Sequence, residues 1–110
     1  MARFVKGDVV VVPFPFSDLS QAKRRPALVV ASLDGDDFIL CQITSQLIRD
    51  RYALGLEHSD FQEGSLKHTS NIRPNRVFTA DHRLILYRVG RVATKKLNAV
   101  TEAIITILRQ

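Results

Sequence analysis

Blocks of apolar residues separated by polar ones predict several short β-strands in the first part of the chain. Val9–Val12 is a run of β-branched residues, and Ala27–Ala31 is a second apolar run of similar length. Residues of this kind favour extended backbone. Pro13 and Pro15 follow the first run, and proline lacks the amide hydrogen that a central strand needs. We therefore predict one strand that ends before Pro13, a polar connection and a second strand.

A third strand is predicted at Phe38–Thr44, directly after an Asp34-Gly35 pair. This pair indicates a hairpin because both residues tolerate the positive φ angles of tight turns, so the second and third strands should be neighbours. Further strands are predicted at residues 53–57, 70–77 and 84–92. The charged segment 60–67 contains a glycine, and we expect it to run over the surface.

The pattern changes at Thr94, where aliphatic residues begin to recur with helical spacing. They are Leu97, Val100, Ile104, Ile107 and Leu108. This spacing places them on one face of an amphipathic helix, with Thr94 as its N-cap. Several short strands followed by one helix predict a mainly β fold with a C-terminal helix, arranged as a small, partly open barrel.

Length and charge indicate a single basic domain. A chain of 110 residues with 45% hydrophobic residues can build one modest core, so one domain spanning residues 1–110 is expected. The formal net charge of +5 favours an anionic partner. Nucleic acid ranks ahead of a membrane, and no membrane association is expected, because no long apolar span is present.

Cysteine usage and the N-terminal residues predict a cytoplasmic protein. Cys41 is the single cysteine, lies in an apolar run and has no partner for an intramolecular disulfide. We expect it to be a buried, inert thiol. The segment that begins at Met1 lacks the hydrophobic stretch of a signal peptide, which agrees with a reducing compartment.

The spacing of candidate ligands and nucleophiles does not indicate a metal site or a serine or cysteine hydrolase. Metal sites of enzymes need clustered carboxylates or histidines, and no such ligand spacing is found among Asp8, Asp18, Asp81, His58, His68 and His82. Cys41 lies in mid-strand, and no serine has the context of a nucleophile elbow. We expect no metal and no other cofactor, and we interpret the three histidines as exposed loop residues.

Two polar clusters adjoin the apolar runs. The basic triplet Lys23-Arg24-Arg25 precedes the second strand, and the third strand ends in Gln42-Ile43-Thr44-Ser45-Gln46. Pro26 disfavours a helical conformation at Arg25, which should leave that arginine extended at the mouth of the second strand. Three cations alone more often form a solvated loop. The second cluster makes a shared site a stronger hypothesis.

These blocks resemble the MazF/PemK family of toxin endoribonucleases. The resemblance lies in GDVVVVPFPFSDL, in KRRPALVV and in the strand that ends QITSQ, and it continues through Ser70–Pro74, Thr79–Asp81, Val89–Val92 and the terminal helix. It implies an SH3-like barrel and a homodimeric toxin of a type II toxin–antitoxin system. It further implies a sequence-specific, metal-independent endoribonuclease that cleaves single-stranded RNA, inhibited by a cognate antitoxin whose acidic tail competes with RNA.

The resemblance assigns catalysis to Arg25 and Thr44. RNA carries its own nucleophile, the 2′-hydroxyl, so a metal-free ribonuclease must mainly align it, move protons and stabilise charge. The guanidinium of Arg25 matches phosphate oxygens, and the Thr44 hydroxyl can donate one more hydrogen bond from a rigid strand end. An arginine is a poor general base, so charge stabilisation is its expected role. The general base is not identified at this point.

Basic and polar residues near the two clusters are candidates for RNA binding. They are Lys23, Arg24, Gln46, Arg49, Arg51, Ser70, Arg73 and Arg76, with Phe16, Ser17 and Tyr52 as further contacts or stacking surfaces. Each of these residues alone is more often an ordinary surface residue. Their concentration beside Arg25 and Thr44 favours a groove for RNA.

Two alternatives stay open. The chain could be a protein-binding toxin like CcdB, which shares the barrel and poisons DNA gyrase without nuclease activity. It could also be a non-catalytic RNA-binding barrel, whose affinity for RNA would depend on salt without any cleavage. The pair Arg25 and Thr44 argues against the first alternative.

Overall fold

A computed structural model describes residues 4–15, 22–47 and 49–110 as one curled antiparallel sheet followed by a helix. Within these ranges the strands are β1 Asp8–Pro15, β2 Ala22–Ser32, β3 Asp37–Thr44, β4 Leu54–Leu56, β5 Phe61–Gly64, β6 Ser70–Asp81 and β7 Tyr87–Val92, and the helix is α1 Thr94–Leu108. The strand order is β4-β6-β3-β2-β1-β7-β5. The prediction of a mainly β, partly open barrel with a C-terminal helix is confirmed.

The middle strands carry the apolar runs Val9–Val12, Ala27–Ala31 and Phe38–Cys41, because both faces of the sheet are covered there. Val9 and Leu28 belong to one buried cluster, whereas Val10 and Val12 belong to a second one. Helix α1 contributes the fully buried Val100 to the first cluster. The sheet is thus a rigid platform, and residues at its strand ends have fixed positions relative to one another.

The predicted hairpin between the second and third strands is confirmed. Ser32 pairs with Phe38 in an antiparallel ladder, and the Leu33 amide donates to the Asp37 carbonyl at 3.0 Å. Gly35 has a φ of 81°, a conformation that glycine adopts without strain. β2 and β3 are therefore neighbours, paired from Ala27 to Ser32 of β2 and from Phe38 to Gln42 of β3.

The prediction that the first strand ends before Pro13 is wrong, because β1 continues to Pro15. The Leu86 amide donates to the Val11 carbonyl at 2.9 Å, so the backbone groups of Val11 point toward β7. The backbone groups of Pro13 and Pro15 point to the same side of β1 as those of Val11. Both prolines lie beyond Val11, the last residue of β1 that pairs with β7. Their missing amide hydrogens therefore remove no bond from the ladder with β2.

The segment 60–67, which we expected to run over the surface, begins at the end of a short 3-10 turn, His58–Asp60, and contains the strand β5. β5 pairs with β7, with Gly64 opposite Gly90. Gly64 has a φ of 71°, and a Cβ on it would lie 2.6 Å from the Cα of Gly90. This close approach of two backbones requires a glycine.

The later strands differ in length from the prediction. β6 runs on to Asp81, with an irregularity between the pairs Cys41–Val77 and Gln42–Arg73 that leaves Pro74, Asn75 and Arg76 without partners in β3. A 3-10 turn occupies His82–Leu84, and β7 begins only at Tyr87. The insertion in β6 lies opposite the middle of β3 and bends the strand there.

Helix α1 begins one residue earlier than the predicted cap implies. Its N-cap is Ala93, whose amide donates to the Asp60 carbonyl at 2.8 Å, and Thr94 is the first helical residue. The prediction of Thr94 as N-cap is therefore wrong. Leu97 and Ile104 pack against the core as expected. Leu108 is 78% exposed at the last residue of the helix, so its assignment to the buried face is also wrong.

A buried carboxylate connects β1 to β7. Asp8 is 2% exposed and accepts hydrogen bonds from the Val5 amide at 2.9 Å, from Arg88 Nε at 2.9 Å and from Arg91 Nε at 3.2 Å. Arg88 also forms an ion pair with Glu63 of β5. Because a buried charge is costly without partners, these contacts make Asp8 part of the framework of the sheet.

Candidate active site

Arg25 and Thr44 lie on neighbouring strands, each two residues beyond the last pair of the β2–β3 ladder. That last pair is Ala27 of β2 with Gln42 of β3, and strand alternation assigns Arg25 and Thr44 to the same face as Ala27 and Gln42. Arg25 also pairs with Val12 of β1, so it lies inside β2. The prediction that Arg25 lies at the mouth of the strand is therefore wrong. The whole basic triplet belongs to the strand. The backbone thus presents the two side chains on the same face.

Thr44 is the last residue of β3 and is only 6% exposed. Its Oγ1 accepts a hydrogen bond from the Gln46 amide at 3.1 Å, and its backbone pairs with Asn71 of β6. A hydroxyl that accepts one bond still has its own hydrogen to donate. The turn after β3 therefore holds the Thr44 hydroxyl in place. The hydroxyl hydrogen can still be donated to another group.

Arg25 is half-buried, and its Nε atom is shielded from solvent. A guanidinium held in this way loses less conformational freedom when it binds an anion, and its planar fork of donors matches phosphate oxygens. The strand therefore supplies a positioned positive charge.

An open pocket of about 450 Å³ adjoins this strand end. The basic side chains that line it are Arg24, Arg25, Lys67 and His68. Three serines also line it, namely Ser45, Ser65 and Ser70. The rest of its wall consists of Val11, Pro26, Leu66, Tyr87 and Val89. Three permanently basic side chains beside three hydroxyl groups suit a phosphate-bearing ligand. Thr44 itself does not line the pocket, but the next residue does.

Three of the site residues predicted from sequence meet in this pocket: Arg24, Arg25 and Ser70. Ser70 is buried, and its hydroxyl donates to the His68 carbonyl at 2.9 Å. The exposed residues Lys23, Gln46, Arg49, Arg51 and Arg76 do not line it. The predictions for Phe16 and Ser17 lie outside the described residues.

Arg73, predicted to bind RNA, is engaged with Asp50 instead of projecting into the pocket. Its Nε and a terminal nitrogen each lie 3.3 Å from Asp50 Oδ2. Asp50 also accepts the Tyr52 amide at 3.0 Å. This amide, followed by the side chains of Arg73 and Asn75, lowers the pKa of Asp50 below 3.8. Asp50 therefore attaches the segment that follows Thr44 to β6.

Tyr52, a candidate stacking surface, is covered by its neighbour. The guanidinium carbon of Arg51 lies 4.5 Å from the centre of the Tyr52 ring, and an Arg51 nitrogen donates to the tyrosine hydroxyl at 2.6 Å. That hydroxyl donates to Gln110 Oε1 at 3.1 Å. One face of the ring is thus occupied by a cation–π contact.

The prediction for Cys41 is confirmed. The thiol is fully buried, and Sγ lies 2.9 Å from the Arg73 carbonyl, to which it donates. Burial raises the pKa of Cys41 to about 12, because the thiolate is poorly solvated there. The thiol therefore stays protonated and unreactive near neutral pH.

The sequence did not point to an RNA-binding role for several residues that line the pocket, namely Ser45, Ser65, Lys67, His68 and Tyr87. Ser65, Lys67 and His68 lie between β5 and β6, in a segment whose conformation depends on the pairing of β5 with β7. A run of polar residues just before a predicted strand was the available signal.

Among the described residues no cluster of three or more His, Cys, Asp or Glu side chains is placed to hold a metal ion. No helix in the described ranges is long and apolar enough to cross a membrane.

The small curled β-barrel, with Arg25 and Thr44 on neighbouring strands and a basic pocket at Arg25, agrees with the class of barrel toxins that the sequence resembled. Residues 5–108 match the family described as PemK-like, MazF-like toxin of type II toxin-antitoxin system, and the chain belongs to this family. No curated protein matches the sequence significantly.

Solved structures of low sequence identity share the fold. MazF from Deinococcus radiodurans aligns over 100% of both chains with a TM-score of 0.77 and 19% identity. An endoribonuclease from a Mycobacterial species, solved with its cognate antitoxin, has a TM-score of 0.76 and 15% identity, over 96% of this chain and 95% of that one. The Mycobacterium tuberculosis toxin MazF-mt6 has a TM-score of 0.71 and 14% identity, over 93% and 96% of the two chains.

Proposed function

We propose that this toxin is a sequence-specific endoribonuclease that cleaves single-stranded RNA without a metal ion. The observation that carries the proposal is the pocket lined by Arg24, Arg25 and Lys67, with Thr44 at the end of the neighbouring strand β3. The positive charge is concentrated where a phosphate would bind, and a hydroxyl donor stands on the neighbouring strand.

The reaction begins with attack by the ribose 2′-oxygen on the adjacent phosphorus. The bond from phosphorus to the 5′-oxygen then breaks, which leaves a 2′,3′-cyclic phosphate and a 5′-hydroxyl. Arg25 stabilises the negative charge that grows on the phosphate oxygens, and Thr44 donates a hydrogen bond to the same group. No metal is needed in this scheme because the substrate carries its own nucleophile and the protein supplies the charge.

RNA recognition beyond the reacting phosphate belongs to the other basic and polar residues near this face. Arg24 and Ser70 line the pocket, whereas Lys23, Gln46, Arg49, Arg51 and Arg76 are exposed and do not line it. Exposed cations of this kind bind RNA through its backbone, so affinity should fall as salt rises. Arg73 contributes mainly by holding Asp50.

The biological setting follows from the family. Fold relatives include an endoribonuclease bound to its cognate antitoxin and MazE–MazF complexes from Deinococcus radiodurans. By analogy, this chain acts as a single-domain toxin in the cytoplasm, as a homodimer, and is inhibited by a cognate antitoxin. An acidic antitoxin segment would be attracted to the same basic pocket as RNA.

The chemistry is tested with RNA in which one nucleotide is altered. The purified protein is incubated in EDTA with a long single-stranded RNA, and the cut site is then placed in a short oligonucleotide. We expect cleavage in EDTA with a 2′,3′-cyclic phosphate product, and no cleavage when the nucleotide before the cut carries a 2′-hydrogen. Cleavage of the 2′-deoxy substrate, or a requirement for added metal, would contradict the proposed mechanism.

A further inference from the structure

The pocket beside Arg25 is rich in proton donors and poor in proton acceptors. Arg24, Arg25 and Lys67 carry donors only, in the charged form that arginine and lysine ordinarily have in proteins. The serine and tyrosine hydroxyls are weak bases. Attack by a 2′-hydroxyl requires a group that takes up its proton, and these cations cannot perform that role.

His68 is the one described residue lining the pocket whose side chain type accepts a proton near neutral pH. The buried Ser70 hydroxyl donates to the His68 carbonyl at 2.9 Å, which fixes the backbone that carries the imidazole at the start of β6. Within the part of the chain that the structure describes, the His68 ring makes no hydrogen bond or ion pair. Its nitrogens are thus available to a ligand.

The other two histidines differ from His68 in their surroundings. Nδ1 of His58 lies 2.9 Å from Ser65 Oγ, which donates to the Leu66 carbonyl at 3.1 Å, so His58 holds the connection between β5 and β6. His82 begins the 3-10 turn after β6 and does not line the pocket. Only His68 combines access to the pocket with an imidazole that is not already engaged.

We propose that His68 is the general base of the ribonuclease reaction, an inference that rests on the proposed function. Neutral His68 takes the proton of the 2′-hydroxyl as the oxygen–phosphorus bond forms. The bond to the 5′-oxygen breaks, and that oxygen leaves with a proton from solvent or from a donor of the pocket. The reaction is a transesterification, so nothing is oxidised or reduced. His68 returns its proton to solvent.

The pH dependence of cleavage separates a base from a residue that only shapes the pocket. The titratable or charged groups around His68 are Arg24 and Arg25 from β2, Lys67 from the same connection and Tyr87 from β7. The wild-type single-turnover rate should rise with pH on its acidic side, because a general base must be unprotonated to act. The variant His68→Gln should lose that rise and be slower by roughly 100-fold or more near neutral pH. RNA affinity should change by less than about twofold, because the glutamine removes no fixed charge.

Two further variants complete the test. Added imidazole should restore part of the activity of His68→Ala, which a purely structural role would not allow. His82→Gln is the matched control and should keep the wild-type rate and pH profile. An unchanged rate, or an unchanged acidic limb, in His68→Gln would overturn the assignment while leaving the ribonuclease proposal in place. A folded wild-type protein that cleaves no RNA at any pH would contradict the proposed function and this inference together.

Discussion

The last pair of the β2–β3 ladder is Ala27 with Gln42, and Arg25 of β2 and Thr44 of β3 each lie two residues beyond it on their own strands. The relationship is set by backbone register, which the buried cores on both faces of the sheet hold in place. A slip of one residue would turn one of the two side chains to the opposite face. The geometry of the pair is therefore as stable as the sheet itself.

Removal of the Thr44 hydroxyl should reduce cleavage without unfolding the protein. Thr44→Val keeps the shape of the buried side chain but loses the donor and the acceptor for the Gln46 amide. We expect a loss of about 1 kcal/mol in stability and a fall of roughly 100-fold in the single-turnover rate. Thr44→Ser, which keeps the hydroxyl, should stay within roughly tenfold of the wild type. Equal rates for the valine and serine variants would remove the hydroxyl from the mechanism.

Neutralising Asp50 should loosen the segment after Thr44. Its side chain is 10% exposed and is held by Arg73 and the Tyr52 amide. Asp50→Asn should lose about 1.5–3 kcal/mol of unfolding free energy at about pH 7, measured by urea denaturation. Asp34→Asn, in the exposed turn between β2 and β3, is the matched control and should stay within about 0.5 kcal/mol of wild type.

The pH dependence of that loss has a definite sign. The pKa of Asp50 is lowered in the folded protein from its ordinary value of 3.8. The charged carboxylate therefore contributes stability above about pH 4, and this contribution disappears as the pH falls through the folded-state pKa. The difference between wild type and Asp50→Asn should shrink between about pH 7 and about pH 3. A difference that stays constant over this range would refute the assigned role of the charge.

Gly64→Ala should disrupt the contact between β5 and β7. The new Cβ would lie 2.6 Å from the Cα of Gly90, and the backbone has a φ of 71°. We expect a loss of about 1–3 kcal/mol. Cleavage should fall as well, because Ser65, Lys67 and His68 follow β5 directly. Gly55→Ala has open space for its Cβ and should be neutral or stabilising by up to about 1 kcal/mol. Thermal melts of the two variants should differ clearly, and equal melting temperatures would contradict the close approach.

The core-facing side of α1 can be tested with one charge at two positions. Ile104 packs against the first buried cluster, whereas Leu108 is 78% exposed. Ile104→Asp should cost about 3 kcal/mol or more, because a carboxylate cannot be accommodated in an apolar contact. Leu108→Asp should change stability by no more than about 0.5 kcal/mol. Similar melting temperatures for Ile104→Asp and the wild type would contradict the packing.

Local signals predicted the elements whose causes are local. The valine run of β1, the Asp34-Gly35 turn and the aliphatic spacing of α1 each act over a few residues, and the structure contains all three elements. The end of β1 depended instead on where its partner β7 stops, which no local pattern reports. β5 was missed for a similar reason, since most of its residues are exposed and its pairing partner is distant in sequence.

The candidate site shows the same division. Arg25 and Thr44 were found because Arg25 precedes one apolar run and Thr44 ends another, each in a recognisable block, and the family resemblance placed them in one mechanism. Their shared register required the pairing of β2 with β3. The partnership of Arg73 with Asp50, and the presence of His68 in the pocket, depend on contacts between residues far apart in the chain. Charge alone did not distinguish a structural arginine from one that faces a ligand.

The most direct measurement maps new RNA 5′ ends by primer extension after incubation in EDTA with wild type, Arg25→Ala and Arg109→Ala. Arg109 follows α1 and does not line the pocket, so its variant controls for the loss of one positive charge. We predict discrete cuts by wild type and Arg109→Ala, and a rate lower by roughly 100- to 1,000-fold for a folded Arg25→Ala. Full activity of Arg25→Ala, or no cuts by the folded wild type, would contradict the account.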